Sequence, residues 1–355
     1  MALFKVLLLF LVFTSKQVLA DAKFKVGVLI PLSGMASEFG TAIRNGASLA
    51  IEDNQSKAGN CEFIYEDTQY DATKAVNAFQ KLANDGVNLV YQFYGEYAVA
   101  PIAEMKGVPV LCDAVDPKVS EGRKFIIRNQ NSSYEFVAPV SDFLGSKGKK
   151  KLVVVESVSP YLSLMVDNFI LSSKGKFDSV ERIPVQAGES DFKPYLTKLL
   201  KGDHDAVGLF LFPGQLNSIG RLFKGREKKY LFFGADFLQT GKEIESSQGV
   251  LEGSYFPNNI VTEEYYKRYT DKFHNDSQMK FAGEGYDVMN LIISNFCSLG
   301  KLPTNEEVLS IIKNIKVRKG VLGDSPYIET AEGDKYFKSP VYMMKASASG
   351  ASVVK

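Results

Sequence analysis

The chain has 355 residues, with 42 Lys and Arg against 41 Asp and Glu, two His, three Cys and no Trp. This near-neutral balance, without a basic stripe, excludes a nucleic-acid partner. Three widely spaced cysteines make neither a disulfide framework nor a paired zinc-ligand set.

The N-terminus carries a targeting pattern. Met1 to Lys5 is a short positive start, Val6 to Phe13 is an unbroken apolar run, and Val18-Leu19-Ala20 ends it as a cleavage site. The run is too short for a bilayer, which needs roughly 20 apolar residues, so residues 1–20 are expected to be a cleaved signal peptide with Asp21 as the first mature residue. No cysteine follows the cleavage site, so no lipid anchor is expected there. Loss of Lys5 and Lys16 leaves 40 basic residues against 41 acidic. The remaining length exceeds what one hydrophobic core sustains, and two domains are expected. In an exported chain Cys61, Cys112 and Cys297 could form disulfides, but their odd count and spacing predict three small buried apolar residues.

Strand and helix patterns then alternate. Phe24 to Ile30 reads as a buried strand, Thr41 to Asn54 as a helix, and Cys61 to Glu66 as a second strand. Asp71 is placed to cap a helix whose Ala75, Val76, Phe79, Leu82 and Ala83 share one face, with Gly86 closing it. Asn88 to Phe93 and Val108 to Cys112 are further strands. A second series has strands at Lys151 to Val155, Ser179 to Val185, Ala206 to Phe212 and Tyr230 to Phe233, with helices over 161–172, 191–201 and 215–223 between them. Helices over 263–273, 281–299 and 305–313 and a strand at 340–345 complete the chain. Such βαβα order predicts an α/β fold with two doubly wound parallel-sheet lobes.

Ile30-Pro31-Leu32-Ser33-Gly34 with Gly40, Gly46, Leu49-Ala50 and Gly59 resembles the opening of the leucine/isoleucine/valine-binding protein family, the type I periplasmic solute-binding proteins of ABC transporters. The resemblance continues through Tyr65-Glu66-Asp67, Asp71 and Ala75, then Gly188, Asp191-Phe192, Leu196, Leu199 and Asp205, and Gly285-Tyr286-Asp287. It implies two lobes joined by three hinge crossings, placed near 129–133, 255–258 and 320–325. Lobe 1 would hold 21–130 plus 257–322, and lobe 2 would hold 131–256 plus 323–355. Ligand would bind outside the carboxyl ends of the strands and be buried by lobe closure.

The resemblance also points to cleft residues. Phe39 would be an apolar wall or plain core. Glu96 and Tyr97 follow the third strand, where the family presents hydroxyls, and Glu96 is equally readable as a solvated loop residue. Ala114 lies in the fourth strand-end loop, where backbone groups serve. Tyr161 would cover the ligand, and Phe212 would be a second wall. Asp236, in Gly234-Ala235-Asp236-Phe237, stands where relatives carry the acid that pairs with a ligand ammonium, or else caps the segment after it. Tyr70 and Gly95 replace a cysteine pair, and Val115 replaces a hydroxyl for a ligand carboxylate. With Glu96 nearby, tight binding of leucine, isoleucine or valine is not expected; a small polar solute, cationic or amide-bearing and with an apolar part, fits better.

An enzyme is not expected. His204 and His274 lie in a turn and at a helix end, and there is no nucleophile elbow, Walker loop or metal-ligand pair. No cofactor or metal is implied. Expected partners are a small-molecule ligand and an ABC transporter permease, with no nucleic acid and no membrane insertion after signal cleavage. The expected state is a periplasmic monomer. The alternative is a sensing or regulatory module of the same fold, acting on a receptor or envelope enzyme.

Overall fold

The computed structural model describes residues 23–34, 36–226 and 229–354. The expected signal peptide lies outside the described residues. No helix among the described residues is long and apolar enough to cross a membrane.

Two sheets define two lobes. The first begins with β1 (Phe24–Ile30), α1 (Ser37–Asp53), α2 (Gln55–Ala58), β2 (Cys61–Asp67), α3 (Ala72–Asn84), β3 (Leu89–Gln92), α4 (Glu96–Lys106), β4 (Val110–Cys112) and β5 (Ile126–Arg128). The chain then builds α5 (Ser133–Ser146), β6 (Lys151–Ser157), α6 (Pro160–Ser172), β7 (Ser179–Val185), α7 (Lys193–Lys201), β8 (Ala206–Phe210), α8 (Gln215–Leu222), β9 (Leu231–Gly234), α9 (Gly241–Ser246) and β10 (Tyr255–Asn258). It returns to the first lobe with α10 (Glu263–Phe273), α11 (Met279–Phe296), α12 (Asn305–Asn314), β11 (Val317–Arg318), β12 (Ser325–Glu329) and β13 (Lys335–Phe337). It ends in the second with β14 (Tyr342–Lys345) and β15 (Ser352–Val353).

The first sheet runs β11-β12-β13-β5-β4-β3-β1-β2 and the second β15-β14-β10-β9-β8-β6-β7. The pairs among β1–β5 are parallel, as are those linking β7, β6, β8, β9 and β10. Side chains of each central strand alternate between two apolar layers. Val26, Val28 and Ile30 enter one layer and Leu29 the other. In β6, Val153 and Val155 face one layer while Leu152 and Val154 face the opposite one.

Helix α1 crosses α11 at backbone distance. A Cβ on Gly46 would strike the Ala282 carbonyl, and one on Gly285 would strike the Ile43 carbonyl, so only glycine permits the approach. Asp71 caps α3 as expected, accepting from the Lys74 amide at 2.8 Å.

Three expectations need correction. Cys61 and Cys297 form a disulfide joining the start of β2 to the end of α11, and only Cys112 stays free and buried among the described residues. The bridge closes 236 residues, a separation from which no local spacing announces the pairing. Second, α4 and α5 are helices that the expected element order does not include, and they carry Pro101 and Pro139 inside them. Burial of Val99, Ala100 and Ala103 in α4, and of Phe136, Val137 and Val140 in α5, overrides that cost.

Third, sheet membership moves the lobe division. Residues 255–258 are a strand of the second sheet, and 320–325 turn between β11 and β12 inside the first. The chain therefore crosses at 129–132, 259–262 and 338–341. The crossings are tied together: Asn131 Oδ1 accepts from the Ser339 amide at 3.1 Å, and Asn259 Nδ2 donates to the Pro340 carbonyl at 2.7 Å.

Candidate functional site

Parallel strands leave their carboxyl ends, and the loops that follow, on one edge of each sheet. In the first lobe Asp67 organises two of these loops. It accepts from the amides of Leu32 at 2.7 Å and Gln69 at 2.9 Å, and from Ser33 Oγ at 2.6 Å. Burial raises the Asp67 carboxyl, yet these bonds outweigh it and hold the group below its ordinary range.

Tyr70 and Tyr94 stack with ring centroids 3.7 Å apart, and both take positive φ. Left-handed backbone at two tyrosines is costly and is held by its surroundings. The stack ties the second and third strand-end loops beside the positions expected to replace a cysteine pair. Gly95 is itself at φ +82, and a Cβ there would strike Ala75.

Each expected residue can now be placed. Phe39 is half-buried against Phe93 and Phe281, so it belongs to an aromatic cluster at the mouth of the first lobe. Glu96 opens α4 and is half-buried; burial pushes its carboxyl up to about 7, against its own backbone amide, with Asp113 and Asp116 adding to the rise. Tyr97 is 48% exposed and donates to Asp116 Oδ2 at 2.7 Å. Ala114 is buried, and its carbonyl accepts from Arg128 at 2.8 Å, which turns that group toward the interior. Val115 packs on the apolar layer of the second lobe. Phe212 and Tyr161 both pack near Phe237, at 5.8 Å and 6.0 Å between centroids.

Asp236 is the centre of the arrangement. It follows β9 and begins a single 3-10 turn over 236–239, without a side-chain cap bond. Its Oδ1 accepts from the Tyr161 hydroxyl at 3.0 Å. Its Oδ2 faces Lys280 Nζ at 3.4 Å, across the lobe boundary, with both side chains at most 3% exposed. Lys280 stands in the first turn of α11, over the rings of Phe136 at 4.9 Å and Phe281 at 5.0 Å. Glu284, one turn later, has Oε1 3.9 Å from the same ammonium, while its buried Oε2 has no hydrogen-bond partner. Burial opposes charge on Lys280, but Glu284, Asp236 and Asp113 together keep its proton held above the ordinary range. Burial pushes Glu284 up to about 8 despite Lys280. The expected free acid at Asp236 is thus already paired, by a lysine from the facing lobe.

Behind these groups lies a fixed polar layer. Asp113 accepts from the Tyr91 hydroxyl at 2.5 Å and from Asn129 at 2.8 Å, and Arg318 donates to Asn129. Burial raises Asp113 to about 6 against those bonds. Lys280 and Glu284 escaped sequence reasoning because Lys280 looks like an ordinary solvated residue at a helix start. One signal was present: an i,i+4 charge pair, Lys280 and Glu284, flanking Phe281-Ala282-Gly283. Among the described residues, no group of three or more His, Cys, Asp or Glu could hold a metal ion.

Comparisons with known proteins bear on this architecture. A Leu/Ile/Val-binding protein homolog of Brucella melitensis is 24% identical over 200 residues, 53% of this chain and 54% of its own length. The chain thus spans about half the length of that curated relative. A leucine binding protein from Thermotoga maritima has the same fold, with TM-score 0.81 and 21% identity over 93% of this chain and 97% of its own. A solute binding protein of an ABC transporter from Rhodopseudomonas palustris, solved with 3,4-dihydroxybenzoic acid, superposes with TM-score 0.78 and 20% identity, covering 92% and 93%. Residues 23–351 match the family described as periplasmic binding protein. The chain belongs to that family, whose members are non-catalytic solute-binding proteins.

Proposed function

We propose that this chain is the periplasmic solute-binding component of an ABC transporter, capturing a small molecule between its lobes and presenting it to a membrane permease. The observation that carries this reading is the meeting of Tyr161 and Asp236, which follow strand ends of the second sheet, with Lys280 at the start of α11 in the first lobe, beside three crossings able to act as a hinge. Membership of the family and the names of the relatives support it.

The solute is small and polar with an apolar part, matched by Phe39, Phe93, Phe281, Tyr161 and Phe237. A cationic head group fits less well than the sequence alone implied, because Lys280 already neutralises Asp236. Proteins of this fold take ligands with and without an ammonium, leucine in one relative and 3,4-dihydroxybenzoic acid in another, by their names. The test is native mass spectrometry of the protein purified without denaturation, followed by small-angle scattering with the ligand it retains. A bound small molecule and a smaller radius of gyration are expected. A ligand-free protein whose scattering responds to no solute in a broad metabolite panel would overturn the reading.

A further inference from the structure

Lys280 reaches from the first lobe into the second and pairs with the acid at which a ligand ammonium was expected. An incoming ammonium would have to displace it. That would leave one buried cation over Phe136 and Phe281 without its Asp236 partner, and removing one member of a buried pair is costly. If Lys280 stayed in place, two cations would share Asp236, the carboxylate within hydrogen-bond reach of the lysine. Either outcome disfavours amino acids and amines.

The same group has unused capacity. An ammonium has three N–H donors, and of its two carboxyl neighbours only Asp236 is within hydrogen-bond reach. Beside it, the buried Glu284 Oε2 is unpartnered. Buried donors without acceptors call for a ligand that brings acceptors. The surrounding rings supply the apolar wall.

Resting on the solute-binding reading above, we infer that the cleft takes a small carboxylic acid with an apolar body and no ammonium group, its carboxylate accepting from Lys280 while Lys280 stands in for the missing ammonium at Asp236.

Two matched pairs of probes test this, 4-methylpentanoate against leucine and 3-phenylpropanoate against phenylalanine, since each pair differs only by the ammonium. Binding is read by isothermal titration on the full mature chain. In the wild type the acids should bind at least tenfold more tightly than their amino-acid partners. Lys280→Met should weaken the acids at least tenfold and improve the amino acids, whose ammonium can then reach Asp236. Should that variant fold poorly, Lys280→Met combined with Asp236→Asn removes both charges, and it should lose the preference for either member of a pair. Wild-type affinity for leucine or phenylalanine equal to or above that for the acids would overturn the inference. So would acid affinity within threefold of wild type in Lys280→Met, or no binding of any of the four probes. In each of those cases a different co-purified solute in native mass spectrometry would leave the solute-binding reading standing.

Discussion

The Cys61–Cys297 bridge offers a large and calculable perturbation. It joins two parts of the first lobe while the loop it closes, 236 residues, contains the entire run from Ser133 to Asn258 of the second. The chain-entropy relation gives about 18 cal/mol/K for such a loop, or about 5.5 kcal/mol at 25 °C, stored as restriction of the unfolded chain. Cys61→Ala combined with Cys297→Ala should therefore cost the first lobe about 5 kcal/mol. Two lobes need not unfold together, so one global midpoint is a poor measure. Hydrogen exchange read by mass spectrometry resolves them: peptides of β1 and α11 should lose protection by that amount, and peptides of β6 and β8 should change little. A loss below about 1 kcal/mol, or equal losses in both lobes, would refute the reasoning.

Three further outcomes follow from single residues. Arg128 is fully buried and is held by Asp334 through Nε at 2.8 Å and Nη2 at 2.6 Å, so Asp334→Ala should destabilise the first lobe by about 3–5 kcal/mol in urea unfolding; a change under 1 kcal/mol would contradict this. Gly285→Ala drives a methyl group into the Ile43 carbonyl and should cost about 1–3 kcal/mol or more, visible as a lower melting temperature, whereas an unchanged melt would mean α1 and α11 can separate freely. Glu96 binds its proton more tightly folded, at about 7, than at its ordinary 4.5. Its contribution is therefore full below about pH 4.5 and is lost as pH rises to about 7, and Glu96→Gln should flatten that part of the stability profile; identical slopes in both proteins would rule it out.

Much of the fold was legible because its central strands are buried on both faces. Val26 to Ile30 and Leu152 to Val155 read as continuous apolar runs. Edge elements were not legible. Strands β11, β12 and β13 are two to five residues long, carry charge, and are defined by their neighbours rather than by pattern. That is why the third crossing was placed too early. Where Lys280 meets the second lobe, Asp236 and Tyr161 could be read as strand-end residues because each follows directly from a strand end or opens a helix. Their partner could not: Lys280 lies 44 residues beyond Asp236, and only the folding of α11 back onto the first lobe carries it to the boundary. Similarly, the tie between Tyr70 and Tyr94 depends on positive φ at both, which no residue type there advertises.

The order of segments along the chain has a kinetic consequence. Helix α1 is made early, but the groove of α11 that fits Gly46 comes only after the run from Ser133 to Asn258 of the second lobe has been synthesised. The second lobe is nearly continuous from Ser133 to Asn258 and waits only for β14 to pair with β10. Contacts distant in sequence form late, because loop-closure entropy must be met before they reward the chain. The lobe that emerges first therefore cannot be completed until its return segments, α10 to β13, have followed the bulk of the second. During that interval the apolar inner face of α1 is uncovered, and this is the surface on which a holding chaperone would act.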